Sequence, residues 1–497
     1  MAANTRPSVH CEVLVAIEIE DKFDVPAEFE IPDLSGVKGV AEAVGPRTYS
    51  LVALYFDTPD LRLAARGITL RRRRGGADAG WHLKLPKSKG VRQEITRPLT
   101  RSTKIVPAEL AELVLVYTRG AELVPVAQLD TKRGVTRLMD ESGEVLLEVA
   151  DDQVKGTVLG DSPTMTRWRE VEAELVKGDE ELLRRTGKRL RKAGAVTAES
   201  ASKLGRLLGD AVPAPQAGPE PGTAGAVIVD YYRRQIDALI AHDGPVRRAE
   251  DDAVHQARVA CRRMRSALKA FKSLVEGTEE VQEELRWLGE VLGEVRDLEV
   301  IRARFAGHLD TLEEAQIVGP VRARLSTDLE AKEQAGYERI REALSGDRYF
   351  ALLDALDAPL TLTKKAAKPA GETLEKIVDK EWRRVEGRYA TAQAIEDRAA
   401  REISMHDVRK AAKRARYTAE VVGLTEAAKR AESVQEVLGK HQDGVVAQQT
   451  LAAEADRARQ AGEDTFTYGV LAGIEHAEAD RAERKFPGVW AKVSQVT

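Results

Sequence analysis

The sequence predicts an α+β multidomain protein, with a β-rich first half and an almost wholly helical second half. Three observations carry that prediction. Up to about residue 208 the chain is a succession of short alternating runs (VLVAIEIEDKF, YSLVALYFDT, GITLRRR, GWHLKLP, VRQEITRPL, GVTRLMD, EVLLEVAD and WREVEAELVKG) broken by Gly, Asp and Pro, the pattern of strands. Beyond residue 225 long segments keep the helical period with few β-branched runs. Between them, DAVPAPQAGPEPGTAG at 210–225 has no period and is rich in Pro, Gly and Ala, as expected of a semi-rigid linker. Helical stretches near 106–118 and 179–193 are interspersed among the strands.

The 497 residues allow two to four domains, and 43% hydrophobic with 32% charged residues suits soluble globular folds with charged surfaces or pockets. The net charge of −4 argues against broad adhesion to nucleic acid or anionic membrane, so the informative signal is local clustering of basic residues. Cys11 and Cys261 lie far apart without partners at metal-ligand spacing. No disulfide framework is expected, and a reducing cytoplasm fits. MAANTRPSVH lacks the apolar core of a signal peptide, and no apolar run approaches the roughly 20 residues that cross a bilayer.

In the first half, charge recurs at alternate strand positions. Glu18, Glu20 and Lys22 share one face, opposite Val15, Ile17 and Ile19. Arg71 and Arg73 alternate, as do Arg92 and Glu94. Lys84 opposes Trp81, Leu83 and Leu85. Arg133 and Arg137 share a face, followed by Glu148 and Asp152, then Glu170, Glu172 and Glu174. One such strand reads most simply as an apolar face in a core and a charged face in water. Repetition on nearly every strand, with twelve Lys and Arg against two acids between residues 66 and 104, favours a sheet closed with its charges inward. Buried charge demands partners, which an anion and a divalent cation would supply. Arg and Lys suit phosphate, and alternate carboxylates suit Mg²⁺ or Mn²⁺. The choice of Asp152 over Asp151 rests on alternation with Glu148.

EIEDK at 18–22 has the form ExExK, and YFDTPDLRLAARGITLRRRR at 55–74, GWHLKLPK, RQE, EVEAEL and SKL at 202–204 follow it in order. This combination resembles the CYTH family, the triphosphate tunnel proteins, over residues 8–208. The resemblance implies an eight-stranded antiparallel β tunnel barrel. It also implies, as for most members, hydrolysis of triphosphate compounds with a divalent metal, although some members make cyclic AMP. Glu18 and Glu20 would be metal ligands with one or more of Glu170, Glu172 and Glu174, and the tunnel acid Asp152 would join the metal set. Lys22, Arg71, Arg73, Lys84, Arg92, Arg133 and Lys203 would clamp phosphates. Glu94 would join the catalytic acids, with Lys22 beside them and Glu148 nearby.

The second half contains an internal repeat. HQARVACRRMR at 255–265 matches HDVRKAAKRAR at 406–416, and EVLGEVRD at 290–297 matches EVLGKHQD at 436–443. Tyr232-Arg233-Arg234 matches Trp382-Arg383-Arg384 more weakly. Three matches in the same order predict a duplicated helical bundle, about 226–356 and 373–490, joined through 357–372. His255, Arg258, Arg262, Arg265, Lys269 and Lys272 form one helical stripe, and His406, Arg409, Lys413 and Arg416 form its second copy. A single stripe reads as a solvated face or one matched by acids on a neighbouring helix. Its recurrence with histidine in the same place favours a cationic groove for a linear polyanion, in which histidine adds a charge that switches near neutrality. A zinc site is disfavoured, because neither HxxxH nor clustered Cys accompanies the histidines.

Both copies resemble the CHAD domain, and the match spans 222–490. That resemblance implies two pseudo-symmetric helical bundles that bind inorganic polyphosphate through His255, Arg258, Arg262, Arg265, His406, Arg409, Lys413 and Arg416, with Arg233, Arg296, Arg383 and His441 as additions. The second motif differs between copies, Arg296-Asp297 becoming Gln442-Asp443.

The expected function is therefore a metal-dependent inorganic triphosphatase acting on tripolyphosphate, coupled to a polyphosphate-binding domain. No P-loop GxxxxGK[ST] occurs and nothing marks a base-binding pocket, which disfavours nucleotide chemistry and the adenylate cyclase reading. Aromatic residues are 5% and do not interleave with the basic stripes, which disfavours nucleic acid. No membrane partner is expected. The alternative is a non-catalytic polyphosphate-binding protein associated with cytoplasmic polyphosphate granules.

Overall fold

The computed structural model describes residues 14–88, 90–214 and 217–495; Cys11, MAANTRPSVH and the side chain of Val15 lie outside the described residues. The chain divides into two units, Met1–Pro215 and Gln216–Thr497.

The first unit is built on β1 (Leu14–Asp24), β2 (Glu42–Asp57), β3 (Thr69–Arg74), β4 (Gly80–Ser88), β5 (Val91–Arg97), β6 (Val124–Met139), β7 (Val145–Val158) and β8 (Thr164–Leu175). Neighbours run antiparallel in the order β5-β4-β3-β2-β6-β7-β8-β1, and β1 also pairs with β5, so the sheet closes into an eight-stranded barrel. A two-residue strand, β9 (Val196–Thr197), joins β1 beside β8.

The barrel is inverted relative to an ordinary β core. Apolar side chains point outward, and helices cover much of that outer wall. Trp81, Leu83 and Ile95 pack beneath α1 (Ala108–Leu113) and α2 (Leu115–Thr118), through Leu110 and Val114. Phe23, Leu147, Val149 and Val171 pack with Leu182, Leu183 and Leu190 of α3 (Glu180–Lys192). Asp179 starts α3 by accepting the Leu182 N–H at 2.7 Å, and the helix carries acids in its first turn and bases in its last, matching its dipole. The ordinary reading of β1, apolar face buried and charged face in water, is corrected: Glu20 is 8% exposed whereas Ile17 is 57% exposed. The reason is that helices cover only part of the outer wall. Ser202 caps α4 (Lys203–Leu208), its hydroxyl accepting the Gly205 N–H at 2.9 Å, and so sets Lys203 at the helix start.

The second unit is helical: α5 (Ala224–Arg247), α6 (Ala253–Ala270), α7 (Glu279–Thr311), α8 (Val321–Leu344), α9 (Asp347–Asp357), α10 (Ala370–Gln393), α11 (Arg398–Val422), α12 (Thr425–Gln460) and α13 (Phe466–Ser494). The repeated segments fall on α6 and α11, and the EVLG segments on α7 and α12. Ala257, Ala260, Cys261, Met264, Ala267 and Leu268 bury one face of α6, while Val408, Ala411, Ala412 and Ala415 do so on α11. These mostly small side chains leave the basic stripes on the remaining surface of each helix. A second core joins the repeats, with Phe305, Leu325 and Leu329 of α7 and α8 against Ala447, Leu451 and Leu471 of α12 and α13. Among the described residues no helix is long and apolar enough to cross a membrane.

Candidate functional site

Within the barrel lies a cavity of about 220 Å³ whose walls are almost entirely polar. It gathers Glu18, Glu20 and Lys22 from β1, Arg71 and Arg73 from β3, Lys84 from β4, Arg92 and Glu94 from β5, Arg133 from β6, Glu148 from β7, Glu172 and Glu174 from β8, and Lys203 from α4. Register explains the grouping. Glu20 faces Glu174 and Lys22 faces Glu172 across β1 and β8, and Arg133 faces Asp152 and Arg137 faces Glu148 across β6 and β7. The acids concentrate on β1 and β8, and the guanidinium groups on β3, β5 and β6.

Two networks divide this wall. In the first, Lys203 Nζ lies 2.9 Å from Asp152, 2.8 Å from Glu170 and 2.7 Å from Glu172. Arg133 donates to both Asp152 oxygens, at 2.8 and 2.6 Å, and to Glu172 at 2.6 Å, while Lys22 also pairs with Glu172. Although burial opposes ionisation, Lys203 and Lys22, then Arg133, hold Glu172 well below the usual carboxylate range. In the second network, Lys84 donates to Glu18 at 2.5 Å and lies 3.5 Å from Glu94. Burial and the neighbouring Glu94 and Glu174, resisted by Lys84, push Glu18 up to about 7. Glu174 is raised too, by burial first and then by Glu20 and Glu172. Burial, Arg71 and Arg133 pull Arg73 down to about 9, and it pairs with Asp78 of the β3–β4 hairpin. Among the described residues the buried Nε atoms of Arg71 and Arg73 have no hydrogen-bond partner, which leaves donors for an anion.

Two sequence-predicted residues sit differently from expectation. Asp152 is 0% exposed and Glu170 4%, and neither borders the cavity. Glu170 also accepts the Trp168 indole N–H at 2.5 Å. Asp152, Glu170 and Glu172 are close enough together for one cation, and the ammonium of Lys203 stands among them. Asp151, by contrast, pairs with Arg169 at 2.8 Å. Glu18 and Glu174 are the cavity acids whose surroundings most oppose ionisation, and Glu20 beside them pairs with Lys22 at 3.0 Å; the hard oxygen donors of all three fit Mg²⁺ or Mn²⁺. A divalent ion there would relieve the repulsion that raises Glu18 and Glu174.

In the second unit, α6 and α11 bring Arg258, Arg262, Arg409 and Arg416 close enough to Lys413 for all four charges to act on it. Burial first, then these guanidiniums, pull Lys413 down to about 7. Asp297 of α7 accepts from Arg258 at 2.8 Å. Gly293 permits this approach, since a Cβ there would meet Arg258 Nη2 at 3.0 Å. His255 and His406 are half-buried beside the cluster, and both are held below the ordinary histidine range by burial and neighbouring cations. Arg265 is the exception to the predicted stripe. The charges acting on it are Arg286, Glu283 and Glu290 of α7, because the helix turns it toward the next element. Its counterpart Arg416 pairs with acids, Glu420 at 2.9 Å and Glu432 at 3.0 Å.

Sequence reasoning missed three residues. Tyr55 borders the cavity and accepts from Arg71 at 3.3 Å; it is the register partner of Arg71 on β2. His82 lies behind Lys84 and bonds Glu94, and its place two residues before Lys84 was a usable signal. Tyr417 accepts from Arg262 Nε at 2.6 Å, and the aligned position in the first repeat, Ser266, gave no hint of it.

A family model of the CYTH domain matches residues 16–208, and one of the CHAD domain matches residues 230–452. Uncharacterized proteins from two strains of Mycobacterium tuberculosis are each 39% identical over 500 residues, covering 96% of this chain and 95% of the relative. Among solved structures, PptA from Streptomyces chartreusis is similar at 21% identity, over 54% of this chain and 99% of that one, with a TM-score of 0.46. The CHAD domain from the plant Ricinus communis is similar at 24% identity, over 57% of this chain and 96% of that one, with a TM-score of 0.42.

Proposed function

The chain belongs to the CYTH–CHAD family, and on that footing we propose that its first unit hydrolyses inorganic tripolyphosphate with a divalent metal while its second unit binds inorganic polyphosphate. The observation that carries the reading is the asymmetry of the barrel cavity: under-compensated Glu18 on β1 and Glu174 on β8 share it with the guanidinium groups of β3, β5 and β6, and the buried Nε donors of Arg71 and Arg73 on β3 have no partner among the described residues. Glu18, Glu20 and Glu174 would hold Mg²⁺ or Mn²⁺, with Glu172 beside them, and the ion would neutralise charge on the phosphate oxygens. Arg71, Arg73, Lys84, Arg92 and Arg133 bind the phosphates, the forked guanidiniums taking two oxygens each. Asp152 and Glu170 hold Lys203, and Glu172 holds Lys22 and Lys203, so both ammonium groups are aimed before substrate arrives.

Transfer of a phosphoryl group to water needs little covalent help from the protein. Positioning and fixed positive charge supply most of the catalysis. A carboxylate of the Glu18–Glu94 pair orients the attacking water. A lining mostly of charged groups, with Tyr55 the sole aromatic among the described residues that border it, favours an inorganic substrate over a nucleotide. The test is phosphate release from tripolyphosphate with Mg²⁺ or Mn²⁺, compared with the Glu18→Ala, Glu20→Ala double variant. The variant is expected to lose turnover, and equal rates remove the catalytic claim.

One observation favours the second reading, a binding protein associated with polyphosphate granules: Glu172 is already neutralised by Lys22, Arg133 and Lys203 without any metal. Saturable tripolyphosphate binding with no phosphate release would select it. For the second unit, competition among tripolyphosphate, long polyphosphate and an oligonucleotide in one assay ranks the ligands. Long polyphosphate is expected to win.

A further inference from the structure

His82 shares the inward face of β4 with Lys84, yet it is 2% exposed and does not itself border the cavity. Both ring nitrogens are engaged. Nδ1 lies 2.9 Å from Glu94 Oε1 on β5, and Nε2 lies 2.9 Å from the backbone oxygen of Asp78 in the β3–β4 hairpin. A carbonyl oxygen has no hydrogen to give, so Nε2 carries one. The Nδ1 contact then holds one further proton, because two lone pairs cannot face each other at hydrogen-bond distance. Around the ring stand Arg71 and Arg73 on β3 and Glu94 on β5, and Lys84 of its own strand lies 3.5 Å from Glu94. Burial first, with the guanidiniums, pulls the imidazole down to about 4 against the pull of Glu94, and it is the two contacts rather than that balance that place the protons.

The hairpin that supplies the carbonyl is built for close approach. Its sequence is GGADAG at 75–80. Gly75 has φ +84, and a Cβ there would fall 2.0 Å from Ser50 O, while a Cβ on Gly80 would fall 2.7 Å from Arg97 O. A backbone acceptor so placed cannot rotate away as a side chain can, so the ring is fixed from one side and Glu94 from the other.

We propose that His82 is a positioning residue for Glu94: anchored by the Asp78 carbonyl, it fixes one carboxyl oxygen so that the rest of the group addresses the cavity and orients the water that attacks a bound phosphoryl group. This role rests on the hydrolytic reading of the same cavity. It makes Glu94, rather than Glu18, the water-orienting member of their pair, which leaves Glu18 for the metal.

The test uses the full chain with tripolyphosphate and Mn²⁺. His82→Phe removes both nitrogens and is expected to lower kcat about 10–100-fold with KM within about twofold. His82→Asn places an amide donor near the former Nδ1 and is expected to restore kcat to within about fivefold of wild type. Imidazole ¹⁵N spectra, with the His82 signals assigned by their loss in the Asn variant, should show Nε2 protonated throughout pH 5–8 and both signals displaced by Glu94→Gln. A fully active Phe variant overturns the proposal, as does a ring that exchanges tautomers and titrates like a free histidine while the wild type turns over. Absence of phosphate release from wild type overturns the hydrolytic reading and the water-orienting role together.

Discussion

Arg133 and Asp152 stand opposite each other on β6 and β7, and the guanidinium grips both carboxylate oxygens, at 2.8 and 2.6 Å, inside the barrel wall. Asp152 is fully buried, and Lys203 closes on it from α4. Removing one partner of such a group leaves buried charge without compensation. Asp152→Ala is therefore expected to destabilise the first unit by about 3–5 kcal/mol. Urea denaturation of the full chain, followed through a probe in the barrel, checks this. A loss under 1 kcal/mol would mean that Glu170 and Glu172 hold Arg133 and Lys203 without Asp152.

Glu18 should behave in the opposite way. Its folded value of about 7 lies above the ordinary 4.5, so the native state binds more protons than the unfolded chain between those values. Stability attributable to Glu18 therefore falls as pH rises from about 4.5 to about 7 and stays lost above that. Glu18→Gln is expected to abolish turnover yet raise stability at pH 8 by roughly 1–3 kcal/mol. Mn²⁺ should raise the melting temperature of the wild type and do so far less for the variant. Melting curves at pH 5 and pH 8, with and without Mn²⁺, test both parts. A variant less stable than wild type at pH 8 would contradict the assigned repulsion.

Proton uptake should accompany polyphosphate binding to the second unit. Lys413 is held at about 7 by burial and by four neighbouring guanidiniums, so at pH 8 most of it is uncharged in the free protein. A polyanion favours the charged form, so the group takes up a proton on binding, and affinity weakens by up to about tenfold per pH unit above 7. His255 and His406, both held low, add further protons only at more acid pH. Calorimetry at pH 8 in buffers of different ionisation enthalpy should find close to one proton taken up per site, and close to none in Lys413→Met. Equal uptake by the variant would assign the proton elsewhere.

The fold was legible because charge and apolar residues alternate on strand after strand, and because the helical half repeats itself. Register did the rest: Glu18, Glu20, Arg71, Lys84, Glu94 and Glu172 meet in one cavity because their strands pair as they do. What alternation cannot show is depth. Asp152 and Glu170 face inward like Glu172, yet they are sealed behind Lys203, which arrives from a helix some thirty residues beyond Glu170. His82 was concealed by its apolar neighbours Trp81 and Leu83, although it shares the face of Lys84. Arg265 fits the helical stripe by spacing, and only the packing of α7 reveals that its charged surroundings are Arg286, Glu283 and Glu290 of that helix.

Tyr417 offers the sharpest test of how the helical basic face is held together. Its ring is buried, with Arg262, Arg263 and Arg416 at 5.5, 5.9 and 5.8 Å from the ring centroid, and its hydroxyl accepts from Arg262 Nε at 2.6 Å. Cations so close together repel unless something between them is electron-rich, and an aromatic face supplies that while the hydroxyl fixes one fork. Tyr417→Phe keeps the ring and loses only the acceptor, so polyphosphate affinity should fall about 3–10-fold, the equivalent of one charge-assisted hydrogen bond shared with solvent, with the fold intact. Tyr417→Leu removes the ring as well, and should add about 2–4 kcal/mol of destabilisation to a larger loss of affinity. Fluorescence-anisotropy titrations with labelled polyphosphate, alongside thermal melts, separate the two effects. Unchanged affinity in both variants would show that the guanidiniums reach the polyanion without the ring between them.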